Sequence, residues 1–146
     1  MDNDPTTHTM DQSFLDGLVQ LSFAVHSILG QVGAEHDLSI IQIRLLGILR
    51  DREPSMMQLA QFLNLDKSSI TGLIDRAERR GLVQRTISPV DRRGFNVSVT
   101  PAGRQLIQVA SQEIKHQIHA ITANLTQAER LQLTALAGKI LNHNLQ

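Results

Sequence analysis

Apolar side chains at Phe14, Leu18, Leu21, Val25, Ile28 and Val32 return every three or four residues, the spacing of one face of a helix over 11–33. A second helix is expected from Ser39, where Ser39 and Gln42 have capping-box spacing and Ile41, Leu45, Ile48 and Leu49 continue the stripe until Glu53-Pro54. A short third helix starts at Ser55, with Gln58 three residues on, and buries Leu59, Ala60 and Leu63 before a turn at Asn64-Leu65. Asp66 is the expected N-cap of a fourth, whose inner stripe is Ile70, Leu73, Ile74 and Ala77 and whose left-handed stop is Gly81.

The period then changes from 3.6 to 2. Val83, Arg85 and Ile87 alternate with Gln84 and Thr86, and Phe95, Val97 and Val99 alternate with Asn96 and Ser98. Ser88 to Gly94 lies between them, so the segment is a β-hairpin with a long tip. Thr100-Pro101 restarts a long helix carrying Leu106 or Ile107, Ala110, Ile114, Ile118, Ile121 and Leu125. Thr126 and Glu129 box in a last one with Leu133, Leu136, Ala137, Ile140 and Leu141. The expected fold is mostly α with a small β-hairpin wing: a winged helix-turn-helix with long N- and C-terminal dimerisation helices. The expected organisation is one domain, 1–146, in which 36–100 form the DNA-binding lobe and 11–35 and 101–146 the dimerisation helices. A homodimer is expected because the first helix and the isoleucine-rich fifth offer more apolar surface than one small lobe covers.

Charge sharpens this picture. The chain of 146 residues has a formal net charge of zero, yet its charges are segregated. No Lys or Arg precedes Arg44, whereas six acids do; from Asp66 to Arg104 eight bases face four acids. A compact basic region inside a neutral chain is what a polyanion site requires. There is no cysteine, which excludes disulfides, thiolate zinc sites and thiol redox chemistry. The N-terminus carries Asp2 and Asp4 where a leader would be basic, and no run of about 18 consecutive apolar residues occurs. A soluble cytoplasmic protein without a membrane partner is expected.

The outer face of the fourth helix presents Lys67, Ser68, Ser69, Thr71, Gly72, Asp75, Arg76 and Arg79. Hydroxyls near a helix N-terminus suit phosphates and base edges, and Arg76 and Arg79 suit phosphates or, for Arg76, one guanine. At the hairpin tip Asp91, Arg92 and Arg93 follow one another. An arginine there can enter a narrow minor groove, with Asp91 bonding to Arg93 or to the loop backbone. DNA-binding candidates are therefore Lys67, Ser68, Ser69, Thr71, Arg76, Arg79, Asp91, Arg92 and Arg93.

The segments 65–76 (LDKSSITGLIDR), Gly81-Leu82-Val83, Asp91-Arg92-Arg93 and Val99-Thr100-Pro101-Ala102-Gly103 together resemble the MarR family, the multiple antibiotic resistance regulators. The resemblance covers nearly the whole chain. It implies a dimer on a pseudo-palindromic operator, a repressor released by a small, often anionic phenolic ligand, with the wing aspartate and minor-groove arginine falling on Asp91 and Arg93. Gly72 departs from the family, where a long basic side chain often stands, so the operator sequence does not carry over. The missing cysteine separates the chain from a peroxide-sensing branch.

Two further readings follow from residue chemistry. His26 or Arg44 could meet the carboxylate of an anionic aromatic effector. His26, His36, His116 and His119 are the candidate ligands of a metal-responsive regulator, although no metal or other cofactor is expected. A winged module that binds protein in place of DNA is the other alternative, opposed by Arg92 and Arg93. No phosphate loop, nucleophile elbow or His-Glu-x-x-His motif occurs, so an enzyme is not expected.

Overall fold

The computed structural model describes residues 5–144. The elements run α1 (Pro5–Glu35), α2 (Ile40–Leu49), α3 (Met56–Leu63), α4 (Lys67–Arg79), β1 (Val83–Ile87), β2 (Phe95–Val99), α5 (Pro101–Ile121) and α6 (Gln127–Asn144). The chain divides into two compact units, Met1–Ile114 and Lys115–Gln146, with the boundary inside α5. Three bounds differ from the sequence expectation; one is α5, expected to run to about Asn124, which stops at Ile121 and leaves Leu125 in the turn before α6. α1 starts six residues before its apolar period, with Pro5 as first helical residue, where a fixed φ helps and a missing N–H costs nothing. α2 stops at Leu49, well short of Glu53-Pro54.

In the first unit the helix starts are set by side chains. Ser39 and Gln42 form a complete capping box on α2, as do Ser55 and Gln58 on α3. Asn64 ends α3 in the left-handed region, φ 52°, and Gly81 makes the left-handed turn after α4, φ 72°. Leu45, Leu49, Leu59, Leu73, Ile74, Val83 and Val97 are almost wholly buried around one core shared by α2, α3, α4 and the hairpin. Each such side chain contributes roughly 1.5–3 kcal/mol. The hairpin is antiparallel, in register from Val83 opposite Val99 to Ile87 opposite Phe95. Its second strand is pinned from the far side by Ser55, which bridges to Asn96, and by the Val97 N–H, which donates to the Pro54 carbonyl at 2.9 Å. This third edge had no counterpart in the alternation pattern.

The start of α5 docks tightly on the backbone leaving α4. Thr100 caps α5 through the Gly103 N–H (3.0 Å), and its own N–H donates to the Leu82 carbonyl (3.0 Å). Gly103 sits so close to that carbonyl that a Cβ would collide with it and approach Val99 Cγ2 at 2.7 Å. Only the inner half of the α1 stripe is buried: Ile28 and Val32 are inside, whereas Phe14 is 66% exposed and Leu18 and Leu21 are exposed as well. α1 is also long and apolar enough to cross a membrane by length and composition.

In the second unit the turn before α6 is pinned by Arg130, whose Nη1 and Nη2 donate to the hydroxyl (3.0 Å) and carbonyl (2.7 Å) of Thr122. Thr126 and Glu129 form the expected box. Leu131, Leu133, Leu136, Ile140 and Leu141 are exposed along α6.

Gly103→Ala is expected to lower stability by about 1–3 kcal/mol through overpacking, although alanine is the better helix former by about 1 kcal/mol. A urea midpoint equal to or above the parent's would show that α5 does not sit on Leu82 as described.

Candidate nucleic-acid interface

α4 is held by Ile70, Leu73, Ile74 and Ala77, all buried. This fixes which residues remain outside: Lys67, Ser68, Ser69, Thr71, Arg76 and Arg79 are all exposed. The Asp66 side chain caps the helix, accepting from the Ser69 N–H at 2.7 Å and the Ser68 hydroxyl at 3.0 Å. The Ser69 N–H first, then the Ser69 and Ser68 side chains, hold its carboxyl below the ordinary value of 3.8. A carboxyl lowered on folding stabilises above its unfolded pKa, and that contribution is lost as pH falls below 3.8 through the lower folded value. The Thr71 hydroxyl donates back to the Lys67 carbonyl at 2.8 Å. It therefore faces outward as an acceptor only.

The acids of α4 are taken up by the wing. Arg85 on β1 donates through Nη2 to Asp75 (2.6 Å) and through Nη1 to Glu78 (3.2 Å), while its backbone N–H donates to Glu78 Oε2 (3.2 Å). Arg76 and Arg79 have no ion-pair partner among the described residues. Arg85 was outside the sequence-predicted site. The signal for it was its place in the Val83, Arg85, Ile87 alternation, where a charged residue occupies an inward position and needs a partner.

Arg80 was missed as well. It caps the C-terminus of α4 and donates to the carbonyls of Asp37 (2.7 Å) and His36 (3.1 Å) in the turn after α1. That turn is tight: Asp37 is left-handed, φ 54°, and the Leu38 N–H reaches back to the Gly33 carbonyl at 2.8 Å. Asp37, Gln42, Arg76, Arg79 and Arg80 line an open cavity of about 390 Å³ beside α4.

The wing tip folds on itself. The Ser88 hydroxyl accepts from the N–H groups of Val90 (3.3 Å) and Asp91 (3.2 Å), and the Asp91 carboxylate accepts from the backbone N–H of Arg93 (3.0 Å). Of the two partners expected for Asp91, the structure gives the loop backbone. Arg92 and Arg93 are exposed, without ion-pair partners among the described residues.

The candidate effector and metal residues are arranged differently. Arg44 is exposed and lines a second cavity of about 360 Å³ with Ile48, Arg52 and Phe62; Arg52 stacks over the Phe62 ring at 5.5 Å. His26, exposed on α1, is not part of that lining. Among the described residues no three His, Asp or Glu side chains gather as a metal site would need, so His26, His36, His116 and His119 are not assembled into such a cluster.

A family model described as MarR family matches residues 36–94. The homoprotocatechuate degradative operon repressor of Escherichia coli is 33% identical over 134 residues, covering 90% of this chain and 90% of that protein. A putative transcriptional regulatory protein for the hcr operon of Thauera aromatica is 34% identical over 86 residues, covering 59% of this chain; the match spans about half of that relative, 52% of its length. The solved structure of NadR in complex with 4-hydroxyphenylacetate has the same fold, with TM-score 0.75 at 24% identity over 85% of this chain and 89% of that one. The chain therefore belongs to the MarR family: it is a winged helix-turn-helix transcriptional regulator that acts by binding DNA and is not an enzyme.

Proposed function

We propose that the chain is a homodimeric repressor that lays α4 in the major groove of a pseudo-palindromic operator, sets its wing in the adjacent minor groove and leaves DNA when an anionic aromatic compound binds. One observation carries the placement: among the described residues Arg76 and Arg79 have no ion-pair partner on α4, while the acids beside them are held by Arg85. Lys67, Ser68 and Ser69 meet the backbone near the α4 N-terminus, where the helix dipole is favourable. Thr71, an acceptor only, suits an adenine or cytosine amino group. Arg76 and Arg79 follow the groove. Arg93 enters the minor groove beside Arg92, and Asp91 holds the loop backbone that aims them.

The exposed apolar face of α1 and the exposed leucines of α6 support a second copy of the chain as their occupant. Polar Gln20, Ser22, His26 and Ser27 recur along the apolar stretch of α1, which suits a helix seam better than lipid. The segments 11–35 and 101–146 then serve dimerisation and 36–100 serve DNA, in the cytoplasm where the operator lies. For the effector, Arg44 offers a guanidinium beside Ile48 and Phe62, and His26 lies on α1. The ligand named for NadR and the operon named for the Escherichia coli relative support an aromatic acid of that kind.

Light scattering at micromolar concentration is expected to give twice the chain mass; a monomer would end the dimer reading. Arg93→Ala is expected to weaken both operator and random DNA and to lower the slope of log affinity against log salt by about 0.9 per arginine. Equal affinity and slope would take the wing out of the interface. Arg85→Met should weaken DNA binding on the order of tenfold by freeing two carboxylates on the groove face. Adding Asp75→Asn and Glu78→Gln to that variant should restore most of the loss in fluorescence anisotropy. No restoration would mean that Arg85 acts by touching DNA itself.

A further inference from the structure

We propose that Gly72 determines operator specificity by seating the guanidinium of Arg76 on the bare backbone of α4, where it reads a guanine. The inference rests on the placement of α4 in the major groove proposed above. Glycine is the poorest helix former after proline, so one in the middle of a 13-residue helix calls for a reason. Conformation does not supply it, because Gly81 is the glycine with positive φ among the described residues. Packing against the protein body does not supply it either. At Gly33 a Cβ would meet the Leu38 carbonyl oxygen at 2.5 Å, and at Gly103 it would meet that of Leu82; these are backbone collisions. At Gly72 a Cβ would meet one side chain, Arg76, with Nη1 at 3.1 Å and Cζ at 4.0 Å.

The geometry follows from helix direction. Side chains lean toward the N-terminus, so a residue at i+4 covers the surface over residue i. Arg76 folds back over Gly72 in this way. Its fork is unspent, since Asp75, the acid next to it, is bonded to Arg85 at 2.6 Å. A planar guanidinium lying along the outer face of α4 can bond to O6 and N7 of one guanine together. A Cβ at 72 would meet the guanidinium at 3.1 Å, so the arginine must shift outward by a few tenths of an ångström, and a longer side chain would displace it further.

The test is selection from a randomised duplex pool with the parent, Gly72→Ala, Arg76→Ala and the double variant, alongside melting curves and salt slopes. The parent is expected to select a guanine in each half-site. Gly72→Ala should melt higher than the parent and keep its salt slope, because no cation is lost, yet lose discrimination at that guanine by about five- to 150-fold. Arg76→Ala should lose the same position with a shallower slope, and the double variant should match Arg76→Ala. Retention of the guanine by Gly72→Ala overturns the seat. A further loss when Gly72→Ala is added to Arg76→Ala also overturns it, since glycine would then be needed for close approach of DNA. An unaltered motif with Arg76→Ala overturns it together with the role of Arg76 at the interface, which separates the two failures.

Discussion

The interaction on which the charge of α4 depends is the fork of Arg85 on Asp75 and Glu78. Those acids lie on α4 beside Arg76 and Arg79, and unpaired they would cancel the charge of those arginines. The guanidinium comes from β1, so the same bonds tie the wing to the helix. Its stabilising effect is small, because the two acids keep 41% and 42% of their side-chain surface in water. Its effect on charge is larger by comparison, since one guanidinium offsets one of the two carboxylate charges that lie beside Arg76 and Arg79. A chain with no net charge thereby keeps Arg76 and Arg79 without ion-pair partners on α4 among the described residues.

Much of this architecture is legible in local sequence. Ser39 with Gln42, Ser55 with Gln58 and Thr126 with Glu129 are capping boxes within one helical turn, and the structure forms all three. The outward placement of Lys67, Ser68, Ser69, Thr71, Arg76 and Arg79 follows from the buried stripe, because both are fixed by one 3.6-residue period. What escaped was non-local. Arg85 reaches acids 7 and 10 residues back across a turn, and Arg80 reaches carbonyls 43 and 44 residues back. No period links such pairs. The bridge from Ser55 to Asn96 is of the same kind: Ser55 reads as a helix cap, and it is one, yet its backbone also extends the wing sheet.

The exposed apolar surface is the complementary limit. Period showed that Phe14, Leu18 and Leu21 share a face with Ile28 and Val32, but not where along the helix burial within one chain stops. Burial is set by what packs against each turn. The C-terminal part of α1 packs on α2, while the turns around Phe14 remain in solvent. One stripe of α1 is thus packed at its C-terminal end and open to solvent around Phe14.

Arg80 ties the packed end of α1 to α4. The turn after α1 is closed by the Leu38 N–H on the Gly33 carbonyl, and Gly33 has no room for a Cβ there. Its outward carbonyls, at His36 and Asp37, are gripped by a guanidinium on the last turn of α4. The end of α1 and the end of α4 are thus joined by two hydrogen bonds from the long, exposed side chain of Arg80 to backbone carbonyls. A displacement of α1 beyond what the Arg80 side chain can follow would carry α4 with it or break both bonds. Since the opposite end of α1 is the part left exposed, that surface is connected through one side chain to the helix that carries Arg76 and Arg79.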